Sequence, residues 1–89
     1  MASFTCDIVT PAAKLLSCEA EMVVVPGIEG EMGFLAGHAP LVSLLADGVI
    51  RLTPAEGGDV KSFEVKGGYV QVTDSKVIIL ADSAEPAAA

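Results

Sequence analysis

Turn-forming residues recur along this chain about every ten positions and divide it into short apolar runs. The turns are formed by Asp47-Gly48, Gly57-Gly58-Asp59, Gly67-Gly68 and Asp74-Ser75, and the runs between them are rich in valine, isoleucine and leucine. Short β-branched runs separated by regular turn signals are typical of sheets that pack face to face. The sequence therefore predicts an all-β fold, a flattened β-sandwich or barrel of about ten short strands.

Side-chain alternation indicates where individual strands lie. Residues 3–9 and 62–66 alternate apolar and polar positions, which is the pattern of a strand with one wetter face. Residues 41–45 and 49–53 flank Asp47-Gly48 and are predicted to form a hairpin. Residues 22–25 are apolar without alternation, which predicts a strand covered on both sides. One of those sides would be the core, and the other requires a partner.

Length and composition restrict the chain to one domain. Its 89 residues suffice for a single core, and we place the domain at residues 1–82. Residues 83–89 carry no large apolar side chain and are predicted to be a flexible C-terminal tail. The apolar fraction of 52% and the mean hydropathy of +0.59 exceed what one small core needs. Two explanations stay open: thirteen alanines raise the figure, or a partner covers an apolar face.

The charge argues against several classes of partner. The net charge is −7, the isoelectric point is near 4.3, and the five Lys and Arg residues are spread out, whereas nucleic-acid contacts need clustered cations. Direct adhesion to anionic lipid is disfavoured for the same reason. No window approaches the roughly 18 consecutive apolar residues of a membrane span, and residues 1–7 lack signal-peptide features. We expect the chain in the cytoplasm unless protein contacts hold it elsewhere, with Cys6 and Cys18 reduced.

Residues suited to chemistry are sparse. Gly27, Gly30 and Gly33 form G-x-x-G-x-x-G, which is neither a dinucleotide fingerprint nor a P-loop, and turn formation is the better interpretation. His38 is the only histidine, and no second His or Cys lies at a metal-ligand spacing. His38 is also the sole neutral-pH base for a serine or cysteine nucleophile, but a loop-positioning role is favoured. We expect no catalytic residue, no metal and no cofactor.

Glu29 and Glu31 form an acidic pair flanked by glycines. Because they lie two positions apart, they share one side if the segment is extended. An exposed, solvated pair is the usual explanation. The alternative is a loop that presents negative charge to a basic surface.

A longer motif surrounds this pair. Residues 30–51, GEMGFLAGHAPLVSLLADGVIR, resemble the signature of the epsilon subunit of F-type ATP synthases, in which a GELGILPGHAPLL-like run precedes a turn and a strand reading GVIR or similar. The order of the other pieces also fits the amino-terminal domain of that family: Ile8-Val9-Thr10-Pro11, Val23-Val24-Val25-Pro26-Gly27, Gly67-Gly68-Tyr69-Val70 and Val77-Ile78-Ile79-Leu80. Ala36 replaces the usual proline and Phe34 a smaller aliphatic residue, but the glycines and His38-Ala39-Pro40 are intact.

The resemblance implies a non-catalytic rotor subunit of the central stalk. In that family the domain contacts the gamma subunit and the c-ring, so that proton flow is coupled to ATP synthesis at the cytoplasmic face of the bacterial plasma (inner) membrane. Matched by position, Glu31 falls on the ring-facing loop, and we expect Glu29 to join it. Thr10, His38 and Ser43 fall on gamma-facing positions. We expect residues 22–25 and 41–43, including Val23, Val25 and Leu41, to supply apolar anchors toward gamma.

Members of this family commonly continue with a helical hairpin that binds ATP in some bacteria or inhibits hydrolysis. If the sequence ending at Ala89 is the whole protein, we expect the coupling role without that brake and no ATP binding; a longer protein cut at the domain boundary would give the same sequence. An alternative function is a free-standing β-sandwich that binds a peptide or sugar. That function requires an exposed aromatic platform, and Tyr69 with three phenylalanines is a meagre supply.

Overall fold

The structure is a computed structural model that describes residues 3–37, 39–55, 57–73 and 75–87. These residues form seven β-strands: β1 (Phe4–Val9), β2 (Lys14–Gly27), β3 (Gly30–Leu35), β4 (Leu41–Leu44), β5 (Gly48–Pro54), β6 (Lys61–Val72) and β7 (Lys76–Pro86). Nowhere in the described ranges is there a helix long and apolar enough to cross a membrane.

The strands form one sheet that closes on itself. Their order is β1-β7-β6-β5-β2-β3, β4 pairs with β6, and a further pairing joins β1 back to β2. The β1–β7 pair is parallel and the other pairs are antiparallel. The β1–β2 pairing satisfies backbone groups that would otherwise be unpaired along the edge of β1. The predicted all-β sandwich or barrel is confirmed.

Three long strands pass from one layer of the sandwich to the other. β2 pairs with β1 over residues 14–20 and then with β5 and β3. β6 pairs with β5 over residues 61–65 and with β4 over residues 69–72, while β7 follows β6 through both halves. The structure therefore has seven strands rather than the predicted ten short ones. The sequence pattern divided β6 at Gly67-Gly68, indicated a strand in β2 only at residues 22–25, and assigned residues 83–86 of β7 to a tail.

The buried positions change parity at each bend. Phe63 and Val65 are buried in the first half of β6, whereas Val70 and Val72 are buried in the second half. β2 changes in the same way after Ala20. Because successive side chains of a flat strand point to opposite faces, an unbent strand would bury only odd or only even positions. The change of parity keeps both halves facing the same core.

Gly67 and Gly68 make the bend in β6 possible. Their φ angles are +64° and +104°, values that residues with a Cβ rarely adopt. A Cβ on Gly68 would collide with the carbonyl oxygen of Leu80 and lie 2.8 Å from Cα of Ala81. The predicted break at Gly67-Gly68 is therefore a bend in a continuous strand, at a point where β6 and β7 approach closely.

The predicted hairpin at Asp47-Gly48 is wrong. β4 lies against the second half of β6, and β5 lies against its first half. Ala46 N–H donates to Pro26 O over 2.7 Å, so the connection crosses between layers instead of reversing on itself. Asp47 and Gly48 also lack the positive φ angles that a tight two-residue hairpin requires. The hairpins that join β5 to β6 and β6 to β7 are present, and Asp74 lies outside the described residues.

The end of the chain is more ordered than the sequence indicates. Residues 83–86, which we placed in a flexible tail, continue β7 along β6. Ala87 N–H then donates to Ser62 O over 2.9 Å. Small side chains suffice here because backbone hydrogen bonds, rather than burial of large groups, hold the segment. Ala88 and Ala89 lie outside the described residues.

The core lies between the two layers. Its largest fully buried side chains include Ile8, Ile50, Leu52 and Ile79. Residues 22–25 do not follow the prediction of a strand covered on both sides. Alternate residues of this stretch face the core, and the others leave one side partly open to solvent.

Candidate interaction surface

The predicted gamma contacts in β2 must be corrected. Val23 and Val25 have no exposed surface, so their side chains cannot contact a partner. Met22 is 37% exposed and Val24 is half-buried, because alternation along the strand turns them outward. An apolar run without alternation could not show which residues face the core.

The exposed residues of β4 lie one position away from those predicted as contacts. Leu41 and Ser43 are half-buried, and Leu41 packs against the core. Val42 and Leu44 point the other way and are 67% and 57% exposed. A one-residue shift in register exchanges the two faces of a strand, and this run is apolar at both parities. His38, the other predicted contact in this region, lies outside the described residues.

Four apolar side chains from four strands lie in one row on the outer surface. Leu44 is opposite Tyr69, Tyr69 is opposite Leu80, and Leu80 is opposite Val9. Leu44 and Tyr69 are 57% and 45% exposed, and Leu80 and Val9 are half-buried. We call this row, together with Val42 beside Leu44, the apolar face. Cross-strand neighbours on one face lie close enough to form a continuous patch.

Thr10 lies at the end of the apolar face. It is half-buried, and its N–H donates to Ala13 O over 2.9 Å in the turn between β1 and β2. Thr10 lines a shallow groove together with Val9, Tyr69 and Leu80. The structure therefore brings Thr10 close to Tyr69 of β6, although the chain separates them widely. The sequence did not single out Tyr69, because only the strand register places it beside Leu44.

The acidic pair lies at the tip of the β2–β3 hairpin. Gly27 and Gly30 face each other across the tip, and Ile28 and Glu29 form its exposed turn. Gly30 has a φ of +124°, which closes this tight turn without strain. Ile28 is 58% exposed. Gly27 and Gly30 thus serve the turn, as the sequence predicted, and leave one apolar and one acidic side chain at the tip, whereas Gly33 lies within β3 opposite Val24.

Glu31 is not a free charge. Nη2 of Arg51 lies 3.2 Å from Oε2 and 3.4 Å from Oε1 of Glu31. Glu31 is on β3 and Arg51 is on β5, so the pair crosses the intervening strand β2. Both side chains are about half exposed, at 59% and 49%. Exposed pairs contribute little stability, so Glu31 stays accessible to a competing cation.

The hairpin tip and the apolar face are directly connected. Gly27 forms a β-bridge with Leu45, the residue that follows Leu44. A Cβ on Gly48 would lie 2.8 Å from Cβ of Pro26, which shows how closely the two segments pack. The two regions predicted to bind different partners are therefore neighbours in one rigid part of the fold.

A buried carboxylate lies on β1. The side chain of Asp7 is 6% exposed, and its Oδ2 lies 3.3 Å from Nζ of Lys76 and 3.7 Å from Nζ of Lys14. Hydrogen bonding by the Ser17 hydroxyl and the two lysine charges hold the pKa of Asp7 below its usual value, against the opposing effect of burial. The sequence placed Asp7 on a wetter face, but the two lysine side chains and the neighbouring strands cover it.

Little in the described ranges suits catalysis or metal binding. No three His, Cys, Asp or Glu side chains of the described residues lie close enough together to hold a metal ion. Cys6 and Cys18 are free thiols. The features that stand out are an apolar face, an acidic hairpin tip and the contact between them, which suit binding to other proteins.

A protein-family model described as the beta-sandwich domain of the ATP synthase delta/epsilon chain matches residues 3–87. Among curated relatives, the ATP synthase epsilon chain of Desulfitobacterium hafniense is 50% identical over 84 residues, which are 94% of this chain and 62% of the relative. That of Myxococcus xanthus is 45% identical over 86 residues, 97% of this chain and 62% of the relative. The sodium ion specific epsilon chain of Propionigenium modestum is 43% identical over 84 residues, 94% of this chain and 60% of the relative. The chain spans less than two thirds of the length of these relatives.

Solved structures show the same fold. A chain in the Euglena gracilis mitochondrial ATP synthase structure, which comprises OSCP, F1 and c-ring, superposes with a TM-score of 0.89 at 27% identity, covering 97% of this chain and 54% of the other. A chain in the central stalk and c-ring of the Tetrahymena thermophila mitochondrial ATP synthase superposes with a TM-score of 0.75 at 15% identity, covering 92% and 65%. The second likeness concerns the fold alone.

Proposed function

Because the chain belongs to the ATP synthase delta/epsilon family, whose beta-sandwich domain it matches over residues 3–87, we propose that it is a non-catalytic rotor subunit of the central stalk of an F-type ATP synthase. In this proposal it links the gamma subunit to the c-ring and helps to couple proton flow to ATP synthesis. It works at the cytoplasmic face of the bacterial plasma membrane, where protein contacts hold it. The observation that carries the proposal is the family match, and the surface features below support it.

The apolar face is the proposed gamma contact. Leu44 and Tyr69 are the most exposed members of its cross-strand row, and Val42 extends it along β4. A few central apolar or aromatic side chains usually supply most of the affinity of a protein interface. Exposed apolar side chains in a continuous row are costly in water unless a partner covers them. Thr10 lies at the rim of this proposed contact.

The hairpin tip is the proposed c-ring contact. Ile28 offers an apolar contact, and Glu29 and Glu31 offer negative charge to a basic loop. On binding, a cation of the ring would compete with Arg51 for Glu31, and this exchange costs little because the existing ion pair is exposed. The c-ring named for the Euglena structure agrees with such a partner. Charges at the rim of an interface mainly govern orientation and the rate of association.

The connection between the two surfaces suits a subunit that transmits force. The tip joins the end of β4 through the Gly27–Leu45 bridge and the hydrogen bond from Ala46 to Pro26. A load applied at the tip would therefore reach the apolar face through main-chain hydrogen bonds. Such a connection deforms less than a contact between long side chains.

Binding to gamma tests the proposal. The chain and its cognate gamma subunit should co-migrate in size-exclusion chromatography. Leu44→Asp should weaken the complex about tenfold or more, because it places a charge among the proposed anchors. Val60→Asp is the matched control: Val60 is 53% exposed but lies outside the apolar face, so its replacement should leave binding unchanged. Both variants should melt close to the unsubstituted chain.

Two outcomes would refute the proposal. Persistent separation from gamma would favour a free-standing binding module. Equal loss of binding in Leu44→Asp and Val60→Asp would show that the apolar face is not the contact. Recovery of gamma and c subunits with the tagged chain from detergent-solubilised membranes would test the assignment to the whole assembly.

A further inference from the structure

The two cysteines lie directly opposite each other in neighbouring strands. Cys6 of β1 is opposite Cys18 of β2 in the antiparallel pairing that closes the sheet. Paired residues on adjacent strands share one face, so both thiols point toward the core. The chain thus holds a close pair of free thiols that its proposed stalk function does not use.

The hydrogen-bond pattern defines the geometry of this pair. Thr5 N–H donates to Ser75 O before β7, so the main-chain groups of Thr5 point toward β7 and those of Cys6 point toward β2. Cys6 and Cys18 are therefore a hydrogen-bonded pair, with Cα atoms about 5.5 Å apart. That separation lies within the disulfide range of roughly 4.4–6.8 Å. The Cβ atoms of such pairs lie near the upper end of about 4.5–5.5 Å, whereas a disulfide prefers about 3.8 Å.

The two thiols differ in access to solvent. Cys6 is completely buried, and burial raises the pKa of its thiol to about 12. Cys18 is half-buried, on the half of β2 that pairs only with β1 through residue 18. Among the described residues no strand pairs with the other flank of residues 14–18, and Cys18 is only half-buried, so a small solute can reach its thiol. The main-chain carbonyl of Glu19 accepts a hydrogen bond from Ala55 N–H. This edge of β2 is therefore covered from residue 19 onward.

We propose that Cys6 and Cys18 form a reversible, peroxide-sensitive disulfide pair. The thiolate of Cys18 attacks the terminal oxygen of the peroxide and the O–O bond breaks, which gives the sulfenic acid of Cys18; the leaving alkoxide or hydroxide takes a proton from solvent and departs as alcohol or water. The sulfur of Cys6 then attacks the sulfenic sulfur, the S–O bond breaks, and the hydroxyl leaves as water with the thiol proton of Cys6. Peroxide is the two-electron oxidant, and the two thiol sulfurs are oxidised to the disulfide.

The geometry makes this bond reversible. Closing it requires the Cβ atoms to move more than an ångström closer than a relaxed pair allows, and strained disulfides are the more easily reduced ones. The movement is possible because this half of β2 is an edge and the register with β1 already shifts between Ile8 and Val9. In the cytosol, disulfides of this kind are transient and redox-sensing rather than structural. The inference concerns the chain itself and does not depend on the stalk function.

Peptide mapping tests the proposal on the unsubstituted chain. The folded, reduced protein is treated with hydrogen peroxide, blocked with an alkylating reagent and digested with trypsin without reduction. Trypsin cleaves after Lys14, between the two cysteines, and next after Arg51. The expected product is therefore the peptide of residues 1–14 linked by the disulfide to the peptide of residues 15–51. The chain should lose two hydrogens in mass and both free thiols, and excess reduced glutathione should restore them.

Two variants separate the steps. Cys6→Ala should trap the sulfenic acid of Cys18 as a dimedone adduct, and Cys18→Ser should give no adduct because Cys6 is inaccessible. A disulfide between two chains, direct oxidation of Cys18 to sulfinic acid in the unsubstituted protein, or two unreacted thiols would overturn the proposal. If Cys6→Ala fails to fold, the linked peptide from the unsubstituted chain still decides the question.

Discussion

Replacing Gly68 with alanine should be the most destabilising conservative change in this domain. Gly68 has a φ of +104°, and an added Cβ would meet the carbonyl oxygen of Leu80 and the Cα of Ala81. A strained φ costs about 1–3 kcal/mol, and forced overpacking typically costs about 1–3 kcal/mol more. The free energy of unfolding should therefore fall by about 2–6 kcal/mol. Main-chain atoms that form the ladder between β6 and β7 cannot move aside cheaply.

Two other glycines provide matched controls. Gly57 has a φ of +83°, but no atom lies within 4 Å of its added Cβ, so Gly57→Ala should show the cost of the φ angle alone, about 1–2 kcal/mol. Gly67 has a φ of +64°, and its added Cβ would meet Oδ2 of Asp82 at 2.7 Å. Because Asp82 is an exposed side chain that can rotate, Gly67→Ala should fall close to Gly57→Ala.

Urea denaturation of the three variants tests this ranking. A domain of this length has a total stability of roughly 4–13 kcal/mol, so Gly68→Ala should unfold at a much lower urea concentration or fail to fold. Each 1 kcal/mol should also shift the melting temperature by about 4–8 °C. Equal losses for Gly68→Ala and Gly57→Ala would refute the reasoning, because they would show that β6 and β7 do not approach closely at the bend.

Three further predictions concern charge and ligands. The pKa of Asp7 is lower in the folded protein than in the unfolded chain. Its carboxylate therefore stabilises the fold above the unfolded-state pKa, and this contribution is lost as the pH falls through the folded-state pKa. Asp7→Asn should lower the urea midpoint at pH 7 and make the midpoint fall less steeply in acid. Glu31→Lys should weaken c-ring association while costing only about 0.2–1 kcal/mol of stability. The double variant Glu31→Lys with Arg51→Glu should restore the ion pair without restoring ring association. Recovery of ring association in the double variant would contradict a direct contact by Glu31. ATP should leave the melting temperature of the 89-residue chain unchanged, because its G-x-x-G-x-x-G run lacks the Lys followed by Ser or Thr that a phosphate-binding P-loop requires, and a clear upward shift would disprove this.

The fold class could be predicted from the sequence because turn chemistry is local. Gly57-Gly58 does form a turn with positive φ angles, and the runs on either side do form strands. The pairing of β4 could not be predicted in the same way. Asp47-Gly48 has the composition of a hairpin turn, but Ala46 bonds to Pro26 and the chain crosses to the other layer. Which strands pair is decided by the closed sheet as a whole and not by the two residues of a turn.

The sequence also could not show which face of an apolar strand is buried. Alternation identified one side of β1 because Thr5 and Asp7 interrupt it, but residues 22–25 and 41–45 are apolar at nearly every position. For such runs the sequence cannot show whether Val23 or Val24, or Leu41 or Val42, faces the core. The expectation of a contact surface in β4 therefore stays a prediction, and burial shows that its exposed candidates are Val42 and Leu44.

The bends of β2, β6 and β7 also bear on the proposed function. A sandwich whose layers were joined only by loops could shear between its faces, because side-chain packing alone would resist the movement. Here the same three strands run through both layers, and the ladder between β6 and β7 continues across the bend. The hairpin tip ends β2, and the opposite half of β2 pairs with β1, whose Val9 belongs to the apolar face. A rotor subunit with this connectivity would transmit torque along continuous strands. Its contacts with partners could then be few and weak, and its two layers would still not slip past each other.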